Sequence, residues 1–363
     1  MRTALLRGRP GRYTIRSMRI RHLPETLVNR IAAGEVIERP AAAVRELVDN
    51  AIDAGARRVE IDIRSGGKSL IAVRDDGGGM SARELEVALD RHATSKLPDD
   101  DLVDIRHLGF RGEALPSIAS VSRLTISSRM EGASESWEIV CEAGRKAAPT
   151  PCAQTEGTCV EVRDLFFCTP ARLKFLKTDR AEYAAVKDVV CRIALAWPGI
   201  AFRLIHNGVA TLTLPAVPDV AARIAAVLGP EFAAASMPIH AVREGVTLSG
   251  RACLPTFRAR TAQDQYLFVN GRPVRDRLFG GALRGAYADV LAQDCHPAAA
   301  LFLTLPAADV DVNGNHSPAV GDLVGDLTQV VAIGLSISTP ASAKAAFSAS
   351  PFFQVPSSLN RLE

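Results

Sequence analysis

A chain of 363 residues, 47% hydrophobic and 23% charged, is typical of a soluble globular protein with room for two domains of ordinary size. The formal net charge of +3 is too small to indicate nucleic-acid binding by itself. The seven cysteines are scattered and form no C-x-x-C pair, which argues against structural zinc and suits a reducing compartment. No apolar run reaches the roughly 18 residues that a membrane span needs.

The N-terminus is basic. Before Glu25 the chain has seven arginines and no acidic residue, a composition found in organellar transit peptides. The alternative interpretation takes Met18 as the natural start and residues 1–17 as an upstream extension. The motifs described below begin directly after Met18, without the spacer that a cleavage site needs, and this favours the extension.

Residues 40–55 predict an amphipathic helix, with a proline in the first turn and a glycine just past the end. Its apolar stripe consists of Val44, Leu47, Val48, Ala51 and Ile52. Its opposite stripe carries Glu46, Asp49, Asn50 and Asp53. A solvated helix face is the ordinary explanation of such a stripe. A functional site is the alternative, which the segments that follow favour.

Residues 58–63 and 70–73 predict two strands joined by a turn at 65–68. The second strand ends at Asp75, just before a run of three glycines that would let backbone approach a ligand closely. An aspartate in this position can accept a hydrogen bond from an exocyclic amine, such as that of adenine or nicotinamide. Ser81 and Glu84 then predict a capping box, which opens a helix that continues to about His92.

Two phosphate-binding motifs need to be weighed in this stretch. Residues 67–69 (GKS) resemble the end of a P-loop, but Asp62 stands where the first P-loop glycine belongs, so a hairpin turn is favoured. Residues 77–82 match the dinucleotide pattern G-x-G-x-x-A between a strand and a helix. A dinucleotide fold would need a second strand ending in an acidic residue about 20 positions later. That region is instead a polar loop at 98–101.

Six motifs occur in a fixed order along the chain: IAAGEV at 31–36, ELVDN at 46–50, DAGA at 53–56, D-x-G-x-G at 75–79, HATSK at 92–96 and GFRGEAL at 109–115. Together they resemble the N-terminal ATPase of the MutL mismatch-repair family, a branch of the GHKL superfamily that includes Hsp90, type II topoisomerases and histidine kinases. The resemblance runs from about Arg19 to Asn313.

The resemblance implies an α/β fold. A GHKL (Bergerat) ATPase sandwich, with helices on one face of a mixed sheet, would be followed by a smaller ribosomal-protein-like α/β domain. The expected boundaries are an extension at 1–18, the ATPase domain at 19–214, a second, transducer-type domain at 215–331 and a loosely ordered tail at 332–363.

The resemblance also implies ATP and Mg²⁺ as cofactors. Glu46 would be the general base and Asn50 a ligand of Mg²⁺. Asp75 would accept from the adenine amine, with Gly77 and Gly79 letting backbone pack beside the base. The other implied nucleotide contacts, most of them in segments that form a lid in the family, are Asp53, Thr94, Ser95, Lys96, Gly109, Phe110, Arg111 and Gly112.

Outside the motifs, three strands are predicted within 123–167, a helix starts near Glu113 and another covers 182–196. Further on, helices are predicted at 219–228 and 275–290 and strands at 246–254, 265–269 and 299–305, with a turn at Asn270 and Gly271. Between residues 251 and 284 seven arginines stand against two aspartates. They form either a solvated face or a DNA-phosphate surface, for which Arg272, Arg275 and Arg277 are the candidates.

The tail departs from the family pattern D-V-N-V-H-P-x-K, whose lysine reaches the γ-phosphate. Residues 311–320 are DVNGNHSPAV, and no lysine follows before Lys344. The resemblance implies that the family's C-terminal dimerisation or endonuclease domain is missing, so we expect either an N-terminal fragment or a gene product altered near its end.

The resemblance implies an ATP-dependent mismatch-repair matchmaker with slow or impaired hydrolysis. The alternative is a module that binds ATP without hydrolysing it. Expected partners are DNA, a MutS-type mismatch-recognition protein, downstream repair factors and a second copy in an ATP-dependent homodimer, in the bacterial cytoplasm near the nucleoid and without membrane contact.

Overall fold

The computed structural model describes residues 33, 36–91, 93, 112–243, 245–257, 262–274, 277–288, 291 and 295–306 of the chain. The N-terminal extension, most of the predicted lid and everything from residue 307 onward lie outside this part. The interpretations given above for those segments therefore stay predictions.

The first sheet is mixed. Its strands are β1 (Arg58–Arg64), β2 (Leu70–Asp75), β3 (Arg123–Arg129), β4 (Ser136–Glu142), β5 (Arg145–Lys146), β6 (Thr150–Cys152), β7 (Gly157–Arg163), β8 (Ala201–His206) and β9 (Val209–Leu214). They lie in the order β5-β4-β3-β7-β2-β1-β8-β9, with β6 also on β4. The β1–β8 pair is parallel and the other pairs are antiparallel.

The second sheet contains β10 (Ser236–Arg243), β11 (Val246–Cys253), β12 (Gln265–Val269), β13 (Arg272–Val274) and β14 (Ala299–Thr304). Their order is β10-β11-β14-β12-β13, and the β12–β14 pair is parallel. The β12–β13 turn is the predicted one: Asn270 and Gly271 both have left-handed φ, 46° and 76°.

Helices cover both sheets. They are α1 (Pro40–Asp53), α2 (Ala82–Ala88), α3 (Ala114–Val121), α4 (Pro170–Phe175), α5 (Asp179–Ala196), α6 (Val220–Leu228), α7 (Pro230–Ala234) and α8 (Arg277–Ala286). The predicted apolar stripe of α1 is buried in the first core, together with Val59, Ile61 and Ile63 of β1. α5 serves both cores, because Val186 and Val190 pack in the first and Cys191 and Leu195 in the second.

The hairpin interpretation of residues 65–69 is confirmed. A 3₁₀ turn at Ser65–Gly67 joins the antiparallel strands β1 and β2. Lys68 Nζ donates to the Lys177 carbonyl at 2.7 Å and lies 3.0 Å from Asp179 Oδ1, so it has a structural role. The dinucleotide alternative is wrong, because β2 is antiparallel to both of its neighbours, and the described residues after the glycines contain no parallel β-α-β unit.

Most predicted elements are confirmed, and the differences are local. α2 ends at Ala88 and not near His92, because the Asp90 N–H turns back to the Val87 carbonyl in a tighter i+3 bond. α8 ends at Ala286, before the predicted end at residue 290. Six strands that the sequence did not predict are β5, β6, β8, β9, β10 and β13.

Candidate functional site

The polar stripe of α1 is not an ordinary solvated surface. Glu46, Asp49, Asn50 and Asp53 are all partly buried, whereas Arg45 on the same helix is exposed. Charged groups on a plain helix face are normally solvated, so joint partial burial favours a site. Arg45 Nε lies 3.7 Å from Asp49 Oδ2, one turn further along.

Asp75 is the last residue of β2, in the interior of the first sheet. It is paired across to Val59 on one side and Thr158 on the other. Burial raises the pKa of the Asp75 carboxyl to about 6, and hydrogen bonds from the Gly77 and Thr158 main chain only partly oppose this. A carboxylate kept at the end of a buried strand in spite of that cost is typical of a functional site.

The glycines after Asp75 allow close backbone approaches. A Cβ at Gly77 would lie 2.8 Å from the Ala54 carbonyl oxygen, just past the end of α1. Gly79 has φ of 68°, and a Cβ there would collide with the Arg129 carbonyl. Larger residues would therefore displace the loop that follows the β2 carboxylate.

Hydrogen bonds fasten this glycine loop to the end of α1. The Gly78 N–H donates to the Ala54 carbonyl at 2.9 Å. Asp76 Oδ1 accepts from the Arg57 and Arg58 N–H groups, both at 2.7 Å. The loop therefore follows the end of α1, so the polar stripe and the Asp75 carboxylate belong to one connected region.

A buried pair of hydroxyls supports the loop from behind, and sequence reasoning missed it. Ser128 Oγ accepts from the Met80 N–H at 2.8 Å and donates to the Gly157 carbonyl at 3.1 Å. It lies 3.0 Å from Thr158 Oγ1. Ser128 and Thr158 are a register pair of β3 and β7, so only knowledge of the strand pairing could have identified them.

The predicted lid is mostly outside the described residues, which exclude Thr94, Ser95, Lys96, Gly109, Phe110 and Arg111. Gly112 is described, and it lies just before the N-cap residue Glu113 of α3, where a helix start was predicted. The capping box of α2 is confirmed, because the Ser81 N–H donates to Glu84 Oε2 at 2.8 Å and Ser81 Oγ accepts from the Glu84 N–H.

The three predicted DNA contacts have different outcomes. Arg272 is exposed at the start of β13 and lines a cavity of about 330 Å³ that Glu46 and Asp49 also line. Arg275 lies outside the described residues, and for Arg277 the structure gives only the main chain, at the start of α8. DNA contact by these residues stays a prediction.

In the described part of the chain, no group of three or more His, Cys, Asp or Glu residues could hold a metal ion. The partly buried Asn50 offers a neutral amide oxygen on the polar stripe, which fits Mg²⁺ held mainly by phosphates and water. The helices described here include none that is long and apolar enough to cross a membrane.

Two family models match the chain. The model of the histidine kinase-, DNA gyrase B- and HSP90-like ATPases covers residues 37–156, which include α1 and the glycine loop. The model of the C-terminal domain of DNA mismatch repair proteins covers residues 224–316, which include the second sheet.

Individual relatives agree with these matches. DNA mismatch repair protein MutL of Paramagnetospirillum magneticum is 58% identical over 301 residues, and that of Rhodospirillum rubrum is 55% identical over 301 residues. Each alignment covers 82% of this chain but 50% and 48% of the relative, so the chain spans about half the length of these relatives.

Among solved structures, the Aquifex aeolicus MutL ATPase domain complexed with ADP is 30% identical to this chain, with a TM-score of 0.59. The match covers 80% of this chain and 98% of that structure. The ordered motifs, the mixed sheet and these relatives agree. The chain therefore belongs to the MutL family of DNA mismatch repair proteins, with a GHKL ATPase domain.

Proposed function

We propose that the first sheet of this protein binds Mg-ATP, with Asp75 accepting a hydrogen bond from the adenine amine. The observation that carries the proposal is the carboxylate of Asp75, kept at the end of a buried strand beside a loop of closely packed glycines. Burial in such a site strengthens a hydrogen bond from a ligand and penalises a mismatched one.

In this proposal the polar stripe of α1 faces the phosphates. Glu46 acts as the general base and draws a proton from the attacking water. General-base catalysis typically raises the reaction rate by about 10²–10⁴-fold. Asn50, one turn further on, would hold Mg²⁺ through its amide oxygen, and the bound ion would supply positive charge that stabilises the charge developing on the phosphates. Asp53 supports the same face, and Thr94, Ser95, Lys96 and residues 109–112 hold phosphate as a lid.

At the level of the pathway, we propose a mismatch-repair matchmaker. Nucleotide binding closes the lid and brings the N-terminal regions of two copies together, and hydrolysis is slow. The protein would then couple a MutS-type recognition protein on DNA to downstream repair factors. Its membership of the MutL family supports this role.

A second candidate is a module that binds ATP and has lost hydrolysis. The observation that favours it is Val320, which stands where the family pattern places a lysine, and Val320 offers neither a charge nor a donor. Single-turnover hydrolysis with and without Mg²⁺ separates the two candidates. A Mg²⁺-dependent burst supports the enzyme, whereas bound but intact ATP supports the module.

The binding proposal is tested by titrating Mg-ATP and Mg-GTP into the wild-type protein and Asp75→Asn. We expect the substitution to weaken ATP binding at least tenfold, because a mismatched buried polar group costs about 1–3 kcal/mol. GTP should not serve as a substrate of either protein. Asp76→Asn is the matched control, since that carboxylate is occupied by main-chain N–H groups. Unchanged ATP affinity in Asp75→Asn would remove Asp75 from the site.

A further inference from the structure

The cavity beside Glu46 joins the two halves of the molecule. It lies between α1, the end of α5 and the β12–β13 turn. Glu46 and Asp49 line it from α1, Trp197 lines it from the end of α5, and Arg272 lines it from the second sheet. A cation of the second sheet thus shares a cavity with the proposed general base on α1.

The turn that carries Arg272 is firmly anchored. Asn270 Nδ2 donates to the Leu305 carbonyl at 3.0 Å, and Asn270 Oδ1 accepts from the Leu305 N–H at 2.8 Å. These two bonds fix the turn against the end of β14. The main chain at Arg272 therefore has a defined position within the second sheet.

The second sheet is also fastened to α5, close to the cavity. Arg192 Nη2 donates to the Gln265 carbonyl of β12 at 3.3 Å, and Arg192 Nε donates to Asp188 Oδ2 at 3.0 Å. The same guanidinium lies 5.0 Å from the centre of the Tyr266 ring. Because α5 also packs in the first core, these contacts set the distance from β13 to α1.

Among the described residues, those that line the cavity carry two carboxylates and two guanidiniums. Asp49 has Arg45 as an ion-pair partner on its own helix, at 3.7 Å. Arg272 is the cation that the second sheet adds. A nearby cation favours the ionised form of a carboxylate and restricts the orientations it adopts, and both effects suit a general base.

We propose that Arg272 is a positioning residue for Glu46, through which the second sheet controls ATP turnover, and not a contact to DNA phosphate. The proposal rests on the assignment of Glu46 as the general base. It makes hydrolysis depend on the second sheet staying docked against α5.

Steady-state kinetics of Arg272→Met and Arg272→Lys test the proposal, with Arg284→Met as a control because Arg284 is exposed on α8 and does not line the cavity. Losing one charge-assisted contact should lower kcat about tenfold in Arg272→Met, with KM for ATP changed less than about threefold. Arg272→Lys should recover most of kcat, and Arg284→Met should match the wild type. An unchanged kcat, a loss of ATP binding or no recovery with lysine would overturn it.

DNA binding gives an independent readout. The slope of log affinity against log salt should be the same for Arg272→Met and the wild type on one duplex. A slope reduced by about one, as expected for a lost phosphate contact, would return Arg272 to the DNA surface and overturn the proposal.

The nucleotide-free protein separates failure of this inference from failure of the proposed function. Thermal unfolding of Glu46→Gln, Arg272→Met and the double variant forms a double-mutant cycle. We expect the shift in Tm of the double variant to differ clearly from the sum of the single shifts. Additive shifts would show that the two residues do not interact, whether or not the protein hydrolyses ATP.

Discussion

At the scale of single residues, the molecule bears the cost of a partly buried carboxylate to keep Asp75 at the end of β2. Part of this site could be predicted from sequence, because a strand ending in aspartate and three glycines is a local pattern. The hydroxyl support from Ser128 and Thr158 could not, since the two residues meet only through the register of β3 and β7.

The raised pKa of Asp75 predicts a pH dependence of stability. The folded-state pKa of about 6 lies above the unfolded value near 3.8, so stability is greatest with Asp75 protonated and is lost as pH rises through 6. Relative to Asp75→Asn, the nucleotide-free wild type should lose about 2 kcal/mol of unfolding free energy between pH 4 and 7. Urea unfolding at several pH values measures this.

Asp76 is the control for that experiment. Burial raises the pKa of Asp76, but hydrogen bonds from the Arg58 and Arg57 N–H groups outweigh it and lower the pKa overall. The ionised Asp76 carboxylate therefore stabilises the folded protein at pH values above its unfolded-state pKa, and this stabilisation is lost as the pH falls. A wild-type curve parallel to that of Asp75→Asn would mean that Asp75 is solvated.

At the scale of elements, a pair of charges fastens α1 to α5. Arg39, the N-cap residue of α1, donates from Nε and Nη2 to Glu182 Oε2 at 3.0 and 2.9 Å. Glu182 is 1% exposed, and its Oε1 accepts from the Lys177 N–H at 2.9 Å. This buried carboxylate sets where the helix that carries Glu46 begins.

Glu182→Ala should therefore be strongly destabilising. It leaves the Arg39 guanidinium and a main-chain N–H without an acceptor, which costs about 3 kcal/mol. Denaturant unfolding measures the change, and Glu135→Ala, at an exposed position, should stay within about 0.5 kcal/mol of the wild type. A similarly small change in Glu182→Ala would show that the pair does not hold the helix in place.

The elements missed from sequence have physical explanations. β9 is exposed along most of its length, so it lacks the alternation that marks a half-buried strand. β10 lies at the edge of the second sheet and contains Pro238. An edge strand tolerates a proline, but in the sequence a proline argues against a strand. β13 is three residues long. The long periodic elements, α1 and α5 above all, were predictable because their apolar spacing decides them.

At the scale of the whole molecule, one helix belongs to two cores. α5 contributes to the first core and to the second, and Arg192 ties it to β12. The family motifs predicted that two α/β units follow one another. They could not predict that the β12–β13 turn and α1 line one cavity, because this arrangement depends on how both units pack on α5.

The tail provides a prediction at this scale. The residues around Val320 lie outside the described part of the chain, and the sequence there lacks the lysine of the family pattern. Rewriting residues 314–320 as Val-His-Pro-Ala-Lys should raise turnover about 10²–10³-fold, the usual value of one preorganised electrostatic contact, and leave ATP affinity within a few-fold. Brisk turnover of the unaltered chain would show that this lysine is dispensable here or replaced by another cation.

The central claim is that α1 and the end of β2 form an ATPase site in which binding and hydrolysis are carried by different residues. The most direct test is single-turnover hydrolysis of Mg-ATP by Glu46→Ala, with bound nucleotide measured in the same samples. We predict that the variant binds Mg-ATP like the wild type and hydrolyses it about 10²–10⁴-fold more slowly. A variant that cannot bind ATP, or one that hydrolyses it at the wild-type rate, would contradict the account.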